Sequence, residues 1–239
     1  MTLNTNQLKI GARKLGVVLD EEQLEKFTIF ADRLREENAK YNLVGDANSE
    51  TILVHHFLDS LSALCGSEAR QGDKVLDLGS GAGMPGLVLA IAAPEAEYVL
   101  LDSSRKKAKF LNSTSRLLWL GSVEVVCGRA EEAGREKRLR EGFDLVVARA
   151  VAPLATLVEY ALPFLKTGGR LVALRGPKAK TEVAEAEKAI RELKGGAPEI
   201  LVIEVPYLDA ERQLVIIEKT GVTPDRYPRR TGVPLKRPL

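Results

Sequence analysis

Cysteine and histidine are scarce in this 239-residue chain, with two of each: Cys65, Cys127, His55 and His56. That excludes a disulfide scaffold and a multi-thiolate zinc site, and it leaves no basis for a dedicated metal centre. A dominant charge is also missing. Lys and Arg number 35 against 33 Asp and Glu, for a net charge of +2. A basic coat over the whole molecule is therefore excluded, while a local basic patch is not. No apolar run reaches the ~20 residues of a membrane-spanning helix, and the opening MTLNTNQLKIGARKLG lacks the apolar core of a secretory signal. Internal repeats and low-complexity tracts are absent. What remains, 45% hydrophobic and 28% charged residues, is the composition of a globular chain with a sizeable core. These features predict a cytoplasmic, reduced protein of one domain, or of one domain and a small appendage.

Proline is absent before Pro85, so nothing interrupts a helical reading of the first part of the chain. Leu24, Phe27, Ala31 and Leu34 line one helix face, and Leu53, Phe57, Leu61 and Leu64 line another, for which Ser49 is the candidate cap. The pattern changes at residue 74. KVLDLG, EYVLLD, SVEVVCG, FDLVVAR and GRLVALRG are short apolar runs separated by helix-like stretches at 104–120 and 154–162. Strands alternating with helices predict a parallel sheet covered on both faces. EILVIEVPY and RQLVIIEKT, separated by a short turn, predict a closing hairpin and hence an antiparallel strand. The domain reading is a helical extension over 1–66, an α/β domain over 67–220 and a basic tail over 221–239 packed on it. From Lys219 onward six Lys or Arg face one acid, Asp225, and this proline-rich segment reads as a surface tail of net charge +5.

VLDLGSGAGMPG is the most informative stretch. Gly79, Gly81 and Gly83 alternate after a strand and before Pro85 opens a helix. Glycines allow a sharp turn and close approach of a ligand, and the helix start offers free N–H groups to an anion. Asp102 closes the second strand, about 20 residues on, where a carboxylate accepts from ribose hydroxyls. Loop and acid together predict a nucleoside cofactor. Gly81, Gly83 and Gly86 match the dinucleotide spacing, which is weak evidence alone. Asp77, two residues before Gly79, is an unwelcome negative charge beside a pyrophosphate but a useful one beside the cationic S-adenosylmethionine. No substrate domain follows the sheet, which also disfavours a nicotinamide oxidoreductase.

With these residues the sequence resembles the bacterial small-subunit (16S) ribosomal RNA guanine-N7 methyltransferases of class G, the glucose-inhibited division protein B family. The resemblance covers nearly the whole chain. It rests on HHFLDSL (55–61), VLDLGSGAGMPG (75–86), the run Asp102 to Lys107, GRAEE (128–132), VVARAVAPL (146–154) and YPRRTGVP (227–234). It implies an α/β fold of the class I, Rossmann-like methyltransferase type, with a seven-stranded mixed sheet and an N-terminal helical extension. It also implies S-adenosylmethionine as methyl donor, with S-adenosylhomocysteine as product. Gly79 and Met84 would then lie against the cofactor, Met84 standing where a larger apolar residue is common. Asp102 would hold the ribose with Ser103 and Ser104 beside it, and Ala130 and Glu131 would frame the adenine. The alternative reading of Glu131 is an exposed carboxylate at a helix start. Arg149, at the end of the fourth strand, would face either the cofactor carboxylate or an RNA phosphate.

The Asn/Asp-Pro-Pro-aromatic motif of exocyclic-amine methylation is missing. Ala-Arg-Ala-Val-Ala-Pro stands in its place at 148–153. Cys127 and Cys65 read as small core residues, not as nucleophiles. Guanine N7 suits these absences because its lone pair carries no proton, so no general base and no catalytic side chain is expected. N7 lies on the major-groove edge, which is closed to side chains in A-form RNA, so the target belongs in a loop or opened structure. Lys106, Arg129, Arg175 and Arg230 are the candidate RNA contacts, supported by Arg105, Lys107, Lys109, Lys178 and Arg229. Arg175 stands where the family usually has lysine. The mixed-charge run from Arg135 to Glu141 reads as solvated helix, and the pair His55 and Asp59 as local helix support, with a substrate role for His56 as the alternative. The expected partner is small-subunit ribosomal RNA within the 30S particle, met by a monomer without metal or membrane. A small-molecule methyltransferase and a non-catalytic RNA-binding or ribosome assembly factor are the rival functions.

Overall fold

The structure is a computed structural model and describes residues 2–66 and 69–239. Two capped helices open the chain. In α1 (Thr5–Lys14) the Asn4 side chain accepts from the Gln7 N–H, and α2 (Glu21–Tyr41) begins with a reciprocal Asp20–Gln23 box. The expected stripe Leu24, Phe27, Ala31 and Leu34 is buried, together with Phe30. The second expected helix is present but irregular. α3 (Ser49–Thr51) runs into a π-helical segment, Ile52–Leu58, then α4 (Asp59–Leu61) and a 3-10 turn, Ser62–Cys65. Asn48 caps it in place of the expected Ser49, because its side chain reaches the Thr51 N–H. Phe57 packs against Phe27 and Phe30 with ring centroids 5.0 and 5.3 Å apart, which locks this segment onto α2. The expected boundary after residue 66 meets residues 67 and 68, which lie outside the described residues.

The strands β1 (Lys74–Leu78), β2 (Glu97–Asp102), β3 (Val123–Cys127), β4 (Phe143–Arg149), β5 (Leu165–Arg175), β6 (Glu199–Ile203) and β7 (Arg212–Glu218) form one sheet. Its order is β3-β2-β1-β4-β5-β7-β6. β1 to β5 are parallel, and β7 runs antiparallel to both β5 and β6. The mixed seven-stranded sheet and the closing hairpin are thus both present, although the link at 204–211 is longer than a short turn. The central strands are apolar on both faces. Val75 and Val147 point into a core shared with α1, α2, α5 (Gly86–Ala92) and α6 (Arg105–Leu117). Leu76 and Val146 point into a second core beneath α7 (Leu154–Ala161) and α8 (Ala179–Glu192). β1 and β4 are neighbours whose chains leave in opposite directions, which opens a crevice at their carboxyl ends.

The edges and the tail correct the sequence reading. Cys127 is exposed and not a core residue, because β3 is an edge strand, and Cys65 is half-buried. The segment after β7 is clamped, and two of its basic residues are paired with acids of the domain instead of lying on the surface. Lys219 is fully buried on Glu141 and the Leu165 carbonyl, and Arg229 makes a forked bond to Glu159, itself wholly buried. The run Arg135 to Glu141 forms turns, not a solvated helix, and two of its arginines grip this tail. Arg135 donates to the carbonyls of Arg226 and Pro228, and Arg140 to those of Thr223 and Tyr227.

Candidate active site

The glycine loop turns sharply at the carboxyl end of β1. The Gly79 and Ser80 N–H groups donate to the Leu101 carbonyl at 2.8 and 3.1 Å, and Gly81 N–H donates to Asp102 Oδ2 at 2.9 Å. Asp102 Oδ1 accepts from the Ser104 N–H at 2.8 Å. The second-strand acid therefore meets the loop directly. Gly79 has φ +74°, and a Cβ there would stand 2.8 Å from Val151 Cγ2, so both conformation and space require glycine. Beneath the loop Asp77 is completely buried, with Oδ2 accepting from the Gly86 N–H at 2.8 Å and Oδ1 unpartnered. Burial pushes its carboxyl up to about 7, only partly opposed by the Gly86 N–H.

A cavity of about 210 Å³ opens beside this loop, walled by Gly79, Leu101, Ser103, Arg129, Ala130, Glu131, Val151, Tyr160 and Leu235, among others. Gly79, Ser103, Ala130 and Glu131, predicted from far-apart motifs, thus share one cavity. Glu131 is buried and not exposed, and its Oε1 accepts from the Gly232 N–H of the tail at 2.8 Å. Burial, with Glu131 beside it, pushes the Tyr160 hydroxyl up to about 12, so it stays protonated at neutral pH. The other predictions divide. Met84 is buried in the core and absent from the cavity wall. Ser104 caps α6. Tyr160 and Leu235 escaped the sequence reading, Tyr160 as a polar member of an apolar helix and Leu235 because its tail had no recognised place. The glycine bends, the ribose-type carboxylate and the small wall at Ala130 fit a nucleoside-bearing cofactor.

A second cavity, of about 430 Å³, lies on the far side of the segment 149–152. Its wall includes His55, His56, Asp59, Arg149, Arg175, Glu182 and Arg212. The buried Asp59 receives Arg149 on Oδ2 at 3.0 Å and Arg212 on Oδ1 at 2.7 Å. Its partners are thus two arginines and not His55, whose side chain points outward from the π-helical turn. Arg149 also donates to the His55 carbonyl at 2.8 Å, so it faces this second cavity. Arg175 ends β5 and does not project from a loop. Its Nη1 donates to the Ala152 carbonyl at 2.9 Å, and its side chain is 10% exposed. His56 Nε2 lies 3.1 Å from the Asp46 carbonyl, and burial with the nearby Arg149 lowers its pKa. Asp59 and Arg212 were not singled out as site residues, since no local motif distinguishes them from surface charges.

Among the expected RNA contacts, Arg129 and Arg230 are exposed. Lys106 is also exposed, with its ammonium 4.1 Å above the Tyr41 ring of α2. Arg105, Lys109 and Lys178 are exposed as well, whereas Arg229 is committed to Glu159. Among the described residues no group of three or more His, Cys, Asp or Glu side chains is arranged to hold a metal ion, and no helix is long and apolar enough to cross a membrane.

Comparison with known proteins gives concordant matches. The family model described as "rRNA small subunit methyltransferase G" matches residues 23–214. A protein of that name from Pelotomaculum thermopropionicum is 41% identical over 239 residues, which is 100% of both chains. Among solved structures, a predicted O-methyltransferase from Agrobacterium tumefaciens superposes with a TM-score of 0.54 at 27% identity, over 69% of this chain and 80% of that one. A TYW2 protein of M. jannaschii in complex with AdoMet superposes with a TM-score of 0.50 at 15% identity, covering 63% of this chain and 69% of that one, a likeness of fold.

Proposed function

The chain belongs to the rRNA small subunit methyltransferase G family, and on that premise we propose that it transfers the methyl group of S-adenosylmethionine to N7 of a guanine in small-subunit ribosomal RNA. The observation that carries this reading is the Gly81 to Asp102 hydrogen bond, which closes the glycine loop beside a cavity at the carboxyl ends of β1, β2 and β3. Gly79, Asp102, Ser103, Ser104, Ala130 and Glu131 would hold the donor, Asp102 and Ser103 at the ribose and Ala130 and Glu131 at the adenine. Met84 would support the loop from the core, where its side chain is buried. The bound donor supplies an electrophilic methyl group on a sulfonium.

The residues around it need only bind, orient and exclude water. N7 has no proton to lose, so no side chain has to act as a base, and the rate comes from holding the lone pair in line with the methyl group. Tyr160, kept protonated, cannot compete as a nucleophile. The RNA would approach over Lys106, Arg129 and Arg230, which are exposed near this edge, with Arg149 and Arg175 reached from the second cavity. The reading includes a cytoplasmic monomer acting on the 30S particle without metal.

The test uses 30S subunits from cells lacking this protein, labelled with tritiated methyl donor and mapped for the modified base. Label at a single guanine N7 is expected. Label elsewhere, or none, overturns the reading. Asp102→Ala should lose donor binding in calorimetry.

A further inference from the structure

Trp119 is the sole tryptophan of the chain, and it stands almost wholly in solvent, 87% exposed. Its backbone is as unusual as its exposure. α6 ends in a paired cap, in which the Leu120 N–H donates to the Ser115 carbonyl at 3.0 Å and the Trp119 N–H to the Arg116 carbonyl at 3.1 Å. Such a cap puts the residue after the helix in the left-handed region, where glycine is favoured, and Trp119 has φ +54° there. A bulky ring at this place costs conformational energy and buries little within the chain. Glycine would serve the fold better. A side chain kept at a cost to the fold points to a partner outside it.

The helix that presents Trp119 indicates the chemistry of that partner. α6 carries five cations, Arg105, Lys106, Lys107, Lys109 and Arg116, and no acid. Among the described residues none of the five is in an ion pair. Arg105, Lys109, Asn112 and Arg116 are exposed at steps of four, three and four, which makes one row along the helix. In a chain whose charges nearly cancel, such a row is a track for a polyanion. It begins at the donor edge, where the Ser104 N–H donates to Asp102, and ends about 20 Å away, thirteen residues at 1.5 Å each. There Trp119 lines an open groove of about 770 Å³ between α6 and the edge strand β3, with Asn112, Arg116, Leu120, Val123 and Val125. The one acid on this wall, Glu124, is taken by Arg138 at 2.5 Å. A row of cations ending on an aromatic face suits single-stranded nucleic acid, with phosphates along the row and a base on the ring. We propose that Trp119 is a stacking platform for an unpaired nucleobase of the ribosomal RNA, remote from the methylated guanine, with Asn112 and Arg116 holding the strand beside it. This rests on the function proposed above and adds a second contact, which fixes how the substrate lies on the enzyme.

Because the chain has a single tryptophan, its fluorescence reports this place alone. Titrating the full chain with 16S ribosomal RNA should quench the emission, and so should single-stranded poly(U). A fully paired RNA duplex, which can meet the cations but offers no free base, should not. S-adenosylhomocysteine should leave the emission unchanged. Trp119→Gly should melt at or above the wild-type Tm, because glycine suits the left-handed cap. The same variant should bind 16S ribosomal RNA about fivefold or more weakly, the loss of one stacked base, with donor affinity within about twofold of wild type. Trp119→Phe should recover most of the RNA affinity, since it keeps a ring. A merely structural role for Trp119 predicts the reverse for the glycine variant, a lower Tm and unchanged RNA affinity. Wild-type RNA affinity in Trp119→Gly would overturn the proposal, as would equal quenching by duplex and single strand. Emission that changes with protein concentration alone would assign the groove to a second copy of the chain. Quenching by the protein fraction of the 30S particle and not by its RNA would assign it to a polypeptide on the open edge of β3. Either result overturns the proposal. A wild type that is quenched by RNA, loses affinity in Trp119→Gly and yet methylates no guanine would sink the proposed function and leave this contact standing.

Discussion

Arg229→Met should destabilise the molecule and weaken its grip on the donor together. Glu159 has no exposure, and Arg229 meets it from Nε at 2.9 and 3.0 Å and from Nη2 at 2.6 Å. Removing the guanidinium leaves a buried carboxylate with the Arg229 backbone N–H, at 2.7 Å, as its remaining donor. Breaking a buried pair from one side costs about 3–5 kcal/mol. The Arg229 side chain is 25% exposed, so water reaches the vacated place and the lower end, about 3 kcal/mol, applies. For a chain of this size that lowers Tm by roughly 6–12 °C, at about 2–4 °C per kcal/mol. The same tail donates Gly232 N–H to Glu131 and places Leu235 on the wall of the donor cavity. Calorimetric titration with S-adenosylhomocysteine should therefore show a weakened affinity alongside the lower Tm. Glu159→Leu combined with Arg229→Met should recover most of the stability, because an apolar pair replaces an ionic one. A single variant that melts with the wild type, or one that melts early yet binds donor normally, would refute the reasoning.

Asp77 makes stability depend on pH. Its carboxyl is raised from 3.8 to about 7, so the folded state holds a proton that the unfolded chain releases, and stability falls as pH rises through that window. Between pH 5 and 8 this one group removes roughly 2–3 kcal/mol, so Asp77→Asn should show a smaller loss over the same range in urea titrations. An unchanged difference between the two pH values would count against the assignment. Gly86→Ala should cost about 2–3 kcal/mol, since a Cβ there would lie 2.3 Å from Leu100 Cδ2 and 2.5 Å from Asp77 Oδ2, the latter pinned by its own hydrogen bond. Thermal melting checks this, and a wild-type Tm would mean that β1 and α5 can separate without penalty.

The parts of the molecule legible in the sequence are those whose physics is local. The five short apolar runs became β1 to β5, the α2 stripe was buried as spaced, and the glycine loop met Asp102 because a strand, a turn and a neighbouring strand fix their separation. The misread parts depend on partners distant along the chain. Arg135 and Arg140 look like a solvated charge run until the tail's carbonyls, some 90 residues away, are laid across them. Lys219 and Arg229 look like a basic tail until Glu141 and Glu159 take them up. Asp59 looked paired with His55 at helical spacing, but the wider turn of the π-helical segment aims it at β4 and β7 instead. These corrections share a cause. A charged side chain in a sequence reads as solvated because that is its cheapest state alone, and only a fold that brings an opposite charge or a carbonyl to it can bury it. Arg175 follows the same rule, buried where the fold brings it the Ala152 carbonyl and the Glu182 carboxylate.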